Sequence, residues 1–260
     1  MKDQILIVAG GEDKVATRLG IALEKRGRPI IRLDGPSAAR IFSLRVLPNS
    51  TVVVPNLPMF VRASAWAHTR TARDGDEHFL WAEAYATFWA AAALSRAPVI
   101  NRPTPSGPAG QFTSTAIAAA LGMSGVPGPE VHASGPEMIT DPTAETWGEN
   151  VHLQSGPVAL LPQKVPLRAR KVNQDSLYEI VTVVGLRAFP ATMDPRTMEL
   201  RLVSRSVLIA RKLKLDFATI TWSIDPAGAT AIRVHATPQE AEIQYTWNET
   251  ANALCEELTQ

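Results

Sequence analysis

A chain of 260 residues with 45% hydrophobic content is long enough to bury a substantial core in one large or two small domains. Its 26 basic and 25 acidic residues leave a net charge of +1, which gives no electrostatic reason to expect nucleic acid or an anionic membrane surface as a partner. A single cysteine, Cys255, excludes an internal disulfide; no apolar run approaches the roughly 20 residues of a bilayer span, and the start MKDQILIVAGGED lacks a signal-peptide pattern, so a cytoplasmic location is expected.

Ile5 to Ala9 form a near-continuous apolar run ending at Gly10-Gly11, the pattern of a strand buried on both faces of a parallel sheet. Val15, Leu19, Ala22 and Leu23 follow at helical spacing, Gly27 stands where a helix C-cap belongs, and Pro29 to Leu33 supplies the next strand. The opening therefore reads as a βαβ unit. Asp34 closes its second strand and raises a nicotinamide reading, because an acidic residue there can bind a ribose hydroxyl. Gly10, Gly11 and Gly20 do not make the G-x-G-x-x-G spacing that close pyrophosphate approach requires, which argues against that reading.

A third strand of the sheet is expected over Thr51 to Val54. The polar stretch from Arg62 to His78 reads as a loop or short helix. Arg62, His68, Arg70, Arg73 and His78 could form an anion-binding mouth at the carboxyl end of the sheet, or a solvated connector. Trp81, Ala84, Tyr85, Phe88 and Ala92 recur at helical spacing and predict a packing helix over Phe79 to Leu94.

Pro98 to Asn101 reads as a short strand before a loop that starts at Arg102-Pro103. This PVINRP stretch resembles the end of the N-terminal domain in ATP-grasp enzymes of the RimK-like and graspetide-ligase kind. A helix over Thr113 to Leu121 and the turn Gly125-Val126-Pro127-Gly128-Pro129 match the family's next segment, although Gly110-Gln111 stands where a lysine is expected. The stretch PVALLPQKVPLRARKVNQDSLYEIVTVVG is similar to a family strand pair, with Gln163 matching a family glutamine. LIARKLKLDFATITWSID, from Leu208 to Asp225, then AIRVHATPQ and an amphipathic helix around Glu249 to Leu258 carry the rest of the resemblance.

The resemblance implies an α/β fold in two parts. An open parallel-sheet, Rossmann-like pre-ATP-grasp domain is expected over 1–130 and an ATP-grasp-like α+β domain with a mostly antiparallel sheet over 158–260. A shortened linker at 131–157 is expected in place of the ATP-clamping subdomain, because that segment is rich in turn formers and lacks apolar periodicity. The family's metal-binding aspartate, glutamate and asparagine have become Thr221, Arg233 and His235. Magnesium needs hard oxygen ligands, and a guanidinium repels a cation, so no metal site is expected.

The function implied is that of a degenerate member: a non-catalytic binding or partner protein in peptide or natural-product modification. It would need no cofactor and would hold a precursor peptide or a partner biosynthetic enzyme. Two readings stay open beside it. One is an active ATP-dependent carboxylate–amine ligase with relocated ligands, using ATP and magnesium. The other is an enzyme of different chemistry with His235 as general base and Arg233 as anion clamp. Candidate ligand-binding residues are Arg62, His68, Arg70, Asn101, Arg102, Gln163, Arg168 and Arg170. An exposed sheet edge leaves a homodimer open. The five histidines lack zinc spacing, and neither G-x-S-x-G nor a P-loop occurs.

Overall fold

The computed structural model describes residues 4–62, 75–103, 114–126, 131–134, 144–147, 154–155, 167–171, 177–192 and 194–260. Strand β1 (Ile5–Val8), helix α1 (Lys14–Lys25) and strand β2 (Ile30–Leu33) form the expected βαβ unit, with β1 and β2 parallel. Asp13 caps α1, its Oδ1 accepting the Ala16 amide at 2.8 Å. At the other end Gly27 has φ +70°, the left-handed turn that a side chain would strain.

Helix α2 (Gly35–Ala39), β3 (Ser43–Leu47), β4 (Ser50–Val54), β5 (Met59–Val61), α3 (Gly75–Leu94) and β6 (Val99–Ile100) follow. The parallel sheet has the order β2-β1-β5-β6. Thr51 to Val54 is a strand, but it does not join this sheet; β4 pairs antiparallel with β3 in a separate hairpin, from Ser43↔Val54 to Leu47↔Ser50. The third parallel strand is β5, whose Met59 and Phe60 are 0% and 1% exposed. Three residues are too few to display a period, so burial marks β5 where pattern does not.

Helix α4 (Ser114–Met123) leads to β7 (Val131–Ser134), β8 (Ala144–Trp147), β9 (Gln154–Ser155) and β10 (Leu167–Lys171). These four strands make an antiparallel sheet in the order β7-β10-β8-β9. The expectation of a loop or linker over 131–157 is corrected here: three of the strands lie in it, β10 pairing with β7 through Ala169↔His132 and with β8 through Arg168↔Trp147, and β9 pairing with β8 through Glu145↔Ser155. Strands of two to five residues are again shorter than the alternation that would announce them.

The last unit contains β11 (Leu177–Val184), β12 (Arg187–Pro190), α5 (Pro195–Glu199), α6 (Leu202–Lys212), β13 (Phe217–Asp225), β14 (Gly228–His235), α7 (Glu240–Ile243) and α8 (Trp247–Glu257). Its sheet is antiparallel in the order β12-β11-β13-β14. One face packs against α6, with Val181, Val183, Ala218, Ile220, Trp222 and Ile209 in one cluster, and Trp222 Nε1 donates to Ser206 Oγ at 2.9 Å. On the other face Val184 and Phe217 meet Ile243, Leu254 and Leu258 in a cluster that also contains Ile5, Ile7, Leu19 and Phe60. The parallel and antiparallel sheets therefore share a core. Cys255 is buried in it, and desolvation pushes its thiol up, so it packs and is not a poised nucleophile.

One buried side chain fixes how the two sheets meet. Asn101, 4% exposed and at φ +56°, follows β6 directly. Its Nδ2 donates to the carbonyls of Phe217 at 2.8 Å and Ala236 at 2.7 Å. Its Oδ1 accepts from the amides of Asp216 at 3.0 Å and Phe217 at 2.8 Å. Every hydrogen-bonding position of the amide is filled, and asparagine tolerates the left-handed backbone better than most residues. Asn101→Ala is expected to destabilise the fold by about 2–4 kcal/mol in urea denaturation, since it orphans four buried backbone groups. Asn101→Asp is expected to cost at least as much, because it turns a carboxylate toward two carbonyls; a near-neutral result would show that the two donated bonds do not hold the sheets together.

Candidate functional site

Strand alternation decides which residues of β13 face which way. Ala218, Ile220 and Trp222 point to α6, so Phe217, Thr219, Thr221 and Ser223 share the opposite face. Helices α7 and α8 cover the first two: Phe217 lies in the shared core, and Thr219 Oγ1 is 3.4 Å from Glu242 Oε1. Beside them Thr182 of β11 exchanges a buried 3.0 Å hydrogen bond with Thr246. Among the described residues that cover ends beyond Thr219. Thr221 and Ser223 are half-buried, and their register partners on the same face are Arg233 and Thr230 on β14, and Ile180 and Tyr178 on β11. Arg233 and Tyr178 are exposed. The result is a polar strip with Arg233 at its centre, bounded at one end by His235.

His235 is tied down at both ring nitrogens. Nδ1 lies 2.7 Å from Glu242 Oε2, and because an ionised carboxylate only accepts, Nδ1–H is the donor. Nε2 lies 3.3 Å from Thr237 Oγ1. The same Glu242 Oε2 accepts the Gln239 amide at 2.7 Å, closing the capping box of α7. Glu242 thus couples the end of β14 to the start of α7. His235 could serve as a base through Nε2 only after the Thr237 hydroxyl turned away.

The remaining candidates divide sharply. Asn101 and Arg102, expected to bind ligand, commit their polar atoms within the chain. Asn101 joins the sheets as described, and Arg102 Nη1 donates to the carbonyls of Ala92 at 3.0 Å and Ser95 at 2.6 Å, with Nη2 on Ala97 O at 2.9 Å. Arg102 is a C-terminal cap of α3. Arg62 is buried against Asp13, Nε to Oδ2 at 2.7 Å. Arg168 and Arg170 lie on β10, where the register alone is described. His68, Arg70, Arg73 and Gln163 lie outside the described residues. Where the resemblance expects an arginine near phosphates, Glu179 is 2% exposed and turned toward α5, accepting from the Thr192 amide at 3.0 Å, the Thr192 hydroxyl and the Thr197 hydroxyl at 3.1 Å. Among the described residues no group of three or more His, Cys, Asp and Glu side chains is arranged to hold a metal ion, and no helix is long and apolar enough to cross a membrane.

No family model and no curated protein matches the sequence. Three-dimensional likeness is far stronger. The chain superposes on the ATP-grasp ligase PsnB complexed with precursor peptide PsnA2 and AMPPNP with a TM-score of 0.73 at 13% identity, covering 99% of this chain and 98% of that one. It superposes on the macrocyclase MdnC bound with precursor peptide MdnA from Microcystis aeruginosa with a TM-score of 0.70 at 10% identity, over 98% of both chains. The chain has the ATP-grasp fold. A RimK domain ATP-grasp protein from Sphaerobacter thermophilus matches with a TM-score of 0.64 at 14% identity, over 99% of this chain and 100% of that one. The expected parallel sheet followed by an antiparallel sheet is present, with a further antiparallel sheet, β7-β10-β8-β9, between them, and the whole has the ATP-grasp fold. At these identities the likeness establishes fold alone.

ATP and magnesium are the groups this fold implies, and the strip tests the fit. Two positions that would offer carboxylates face each other as Thr221 and Arg233. Neither supplies a charged oxygen, and Glu242, the carboxylate beside His235 at the end of the strip, is engaged by His235 and Gln239. These residues do not fit a magnesium ion.

The same network predicts a pH dependence. Burial raises the Glu242 carboxyl, but the His235 bond, the Gln239 amide and the charges of His235 and Arg233 outweigh burial and hold it below the usual carboxylate range. A lowered folded pKa contributes stability above the unfolded value and loses it as pH falls through the folded value. Asp216 acts oppositely: burial, together with the Glu257 charge, raises it against the Asn101 amide and Arg102, so it adds stability as pH falls. The stability difference between wild type and Glu242→Gln is therefore expected to be largest at neutral pH and to shrink in acid below the usual carboxylate range. Urea titrations at stepped pH check this, and a constant difference would refute the coupling.

Proposed function

We propose that this protein uses the ATP-grasp frame as a binding scaffold, without Mg–ATP activation of a carboxylate, and that its ligand is a precursor peptide or a partner enzyme of peptide modification. The observation that carries the reading is the Thr221–Arg233 cross-strand pair at the centre of the uncovered strip. Phosphoryl transfer relies on metal ions to bridge and neutralise phosphate oxygens, and a guanidinium in that position repels the metal while offering no oxygen to it. The pairing is a property of strand register, so a rotamer change does not bring a carboxylate there.

The peptide side of the reading is supported by the neighbours. MdnC and PsnB are each seen with a precursor peptide, and both superpose over nearly the whole of this chain. The strip itself suits such a ligand: hydroxyls of Thr221, Ser223, Thr230 and Tyr178 can donate or accept, and exposed Arg233 supplies one cation for an acidic side chain.

Thermal unfolding of the purified protein with and without Mg–ATP tests the loss of chemistry. A ligand at about 100 times its dissociation constant adds roughly 2.7 kcal/mol to stability, an easily read rise in the midpoint. No rise is expected. A clear rise that requires both magnesium and nucleotide would replace the scaffold reading with that of an active ligase.

A further inference from the structure

The carboxyl ends of β1 and β5 form the point where the parallel sheet changes direction. The chain passes from β1 to β2 on one side, then returns to place β5 on the other side of β1, giving the order β2-β1-β5-β6. In open α/β sheets such a reversal leaves a crevice outside the strand ends, because the two connections leave in opposite directions. The crevice here is bordered by the loop Gly10 to Asp13, by the N-terminus of α1, and by Arg62, the residue after β5.

Arg62 reaches into it in an unusual state. Its side chain is 4% exposed, its Nε donates to Asp13 Oδ2 at 2.7 Å, and Nη1 is buried without a hydrogen-bond partner among the described residues. An unmet donor of this kind costs about 1–3 kcal/mol, more on a charged group. The Asp13 carboxylate that holds Arg62 is also the N-cap of α1, so the free donor lies at the positive end of a 12-residue helix. The loop is braced from the far side by Arg32, whose Nη2 donates to Gly10 O at 2.9 Å and Gly11 O at 3.0 Å. Above it there is room: Gly10 and Gly11 are exposed, and a Cβ built on either meets nothing within 4 Å.

We propose that this crevice is a second binding site, for a single carboxylate group, with Arg62 Nη1 as its principal donor. The charge balance selects the class of anion. Arg62 and Asp13 neutralise each other, and Arg32 with the positive end of α1 is offset by Glu12, exposed beside the loop, and by Asp34, which caps α2 at the end of β2. Those three carboxylates repel a phosphate dianion more strongly than a monoanion, so the hydrogen bond from Nη1 is better matched to a single negative charge. A planar carboxylate also matches one edge of a guanidinium. The site uses none of the strip residues and does not depend on the loss of Mg–ATP chemistry.

The probe is N-acetylglycine, a peptide-like carboxylate, titrated against the full chain by thermal unfolding at fixed ionic strength, with N-acetylglycinamide as the neutral control and inorganic phosphate as the dianion. A saturable rise with N-acetylglycine alone is expected. Arg62→Lys keeps the charge beside Asp13 but not the fork and is expected to weaken binding about tenfold, the effect of one charge-assisted hydrogen bond. Gly11→Glu places a tethered carboxylate in open space at an unstrained position, and should abolish the rise while leaving the fold intact, which keeps the test decisive if Arg62→Lys fails to fold. No saturable rise, an equal rise with the amide, a larger rise with phosphate, or a rise that survives Gly11→Glu would each overturn the proposal.

Discussion

The amide of Asn101 is the constraint on which the arrangement of the two sheets depends. It stands one residue past the last parallel strand and reaches Asp216 and Phe217 at the start of β13 and Ala236 after β14 with four hydrogen bonds. The shared core of Ile5, Phe60, Phe217 and Leu254 supplies attraction, but apolar contact has no direction. The amide supplies direction. It sets where β13 begins and where β14 ends, and so it also sets the position of His235, the last residue of β14. The left-handed backbone at Asn101 is the local strain that lets the chain turn from one sheet into the other.

Downstream of that junction, the sheet that would carry phosphoryl chemistry is held together by neutral groups. Thr182, Thr246 and Thr250 are buried and linked by hydroxyl bonds, and Thr219 extends the series toward Glu242. Hydroxyls both donate and accept, so such a chain satisfies itself without a counterion. A cluster of metal-binding carboxylates is different: without its cation it destabilises the fold by mutual repulsion. A strip with Thr221 and Arg233 in register has no such liability, and it is stable as an empty surface.

Much of the frame is legible in the sequence because its elements are long enough to show a period. The βαβ opening and α3 are readable from apolar spacing and turn residues, and the β13–β14 pair through its likeness to a known family. Four short strands are not: β5 is identified by the burial of Met59 and Phe60, and β7 to β9 by their pairing in one sheet with β10, both tertiary facts. Thr51 to Val54 shows the limit in another way, since its composition is that of a strand in any sheet and only the partner β3 distinguishes a hairpin from the parallel sheet. Two of the candidate binding residues show a further limit. Asn101 and Arg102 look like ligand-binding residues because polar groups beside a loop attract that reading, and sequence carries no record of which carbonyls lie near them.

The arginines make this last point quantitative in kind if not in number. Arg32, Arg102 and Arg187 differ little in sequence context from Arg62, yet each delivers its donors to backbone carbonyls: Arg32 to Gly10 and Gly11, Arg102 to the end of α3, Arg187 to Ala253 as well as to the Glu256 carboxylate. In each case the guanidinium cross-braces two elements, and the loss of the side chain would be felt as stability. Arg62 begins the same way, bracing β5 against the N-cap of α1, but keeps one buried donor unmet. A bracing role accounts for Nε and for the placement of the guanidinium. It does not account for Nη1, which a fold under selection for stability alone would have paired or exposed. What separates Arg62 from the bracing arginines is therefore one terminal nitrogen, Nη1, that meets no acceptor among the described residues at the reversal point of the parallel sheet.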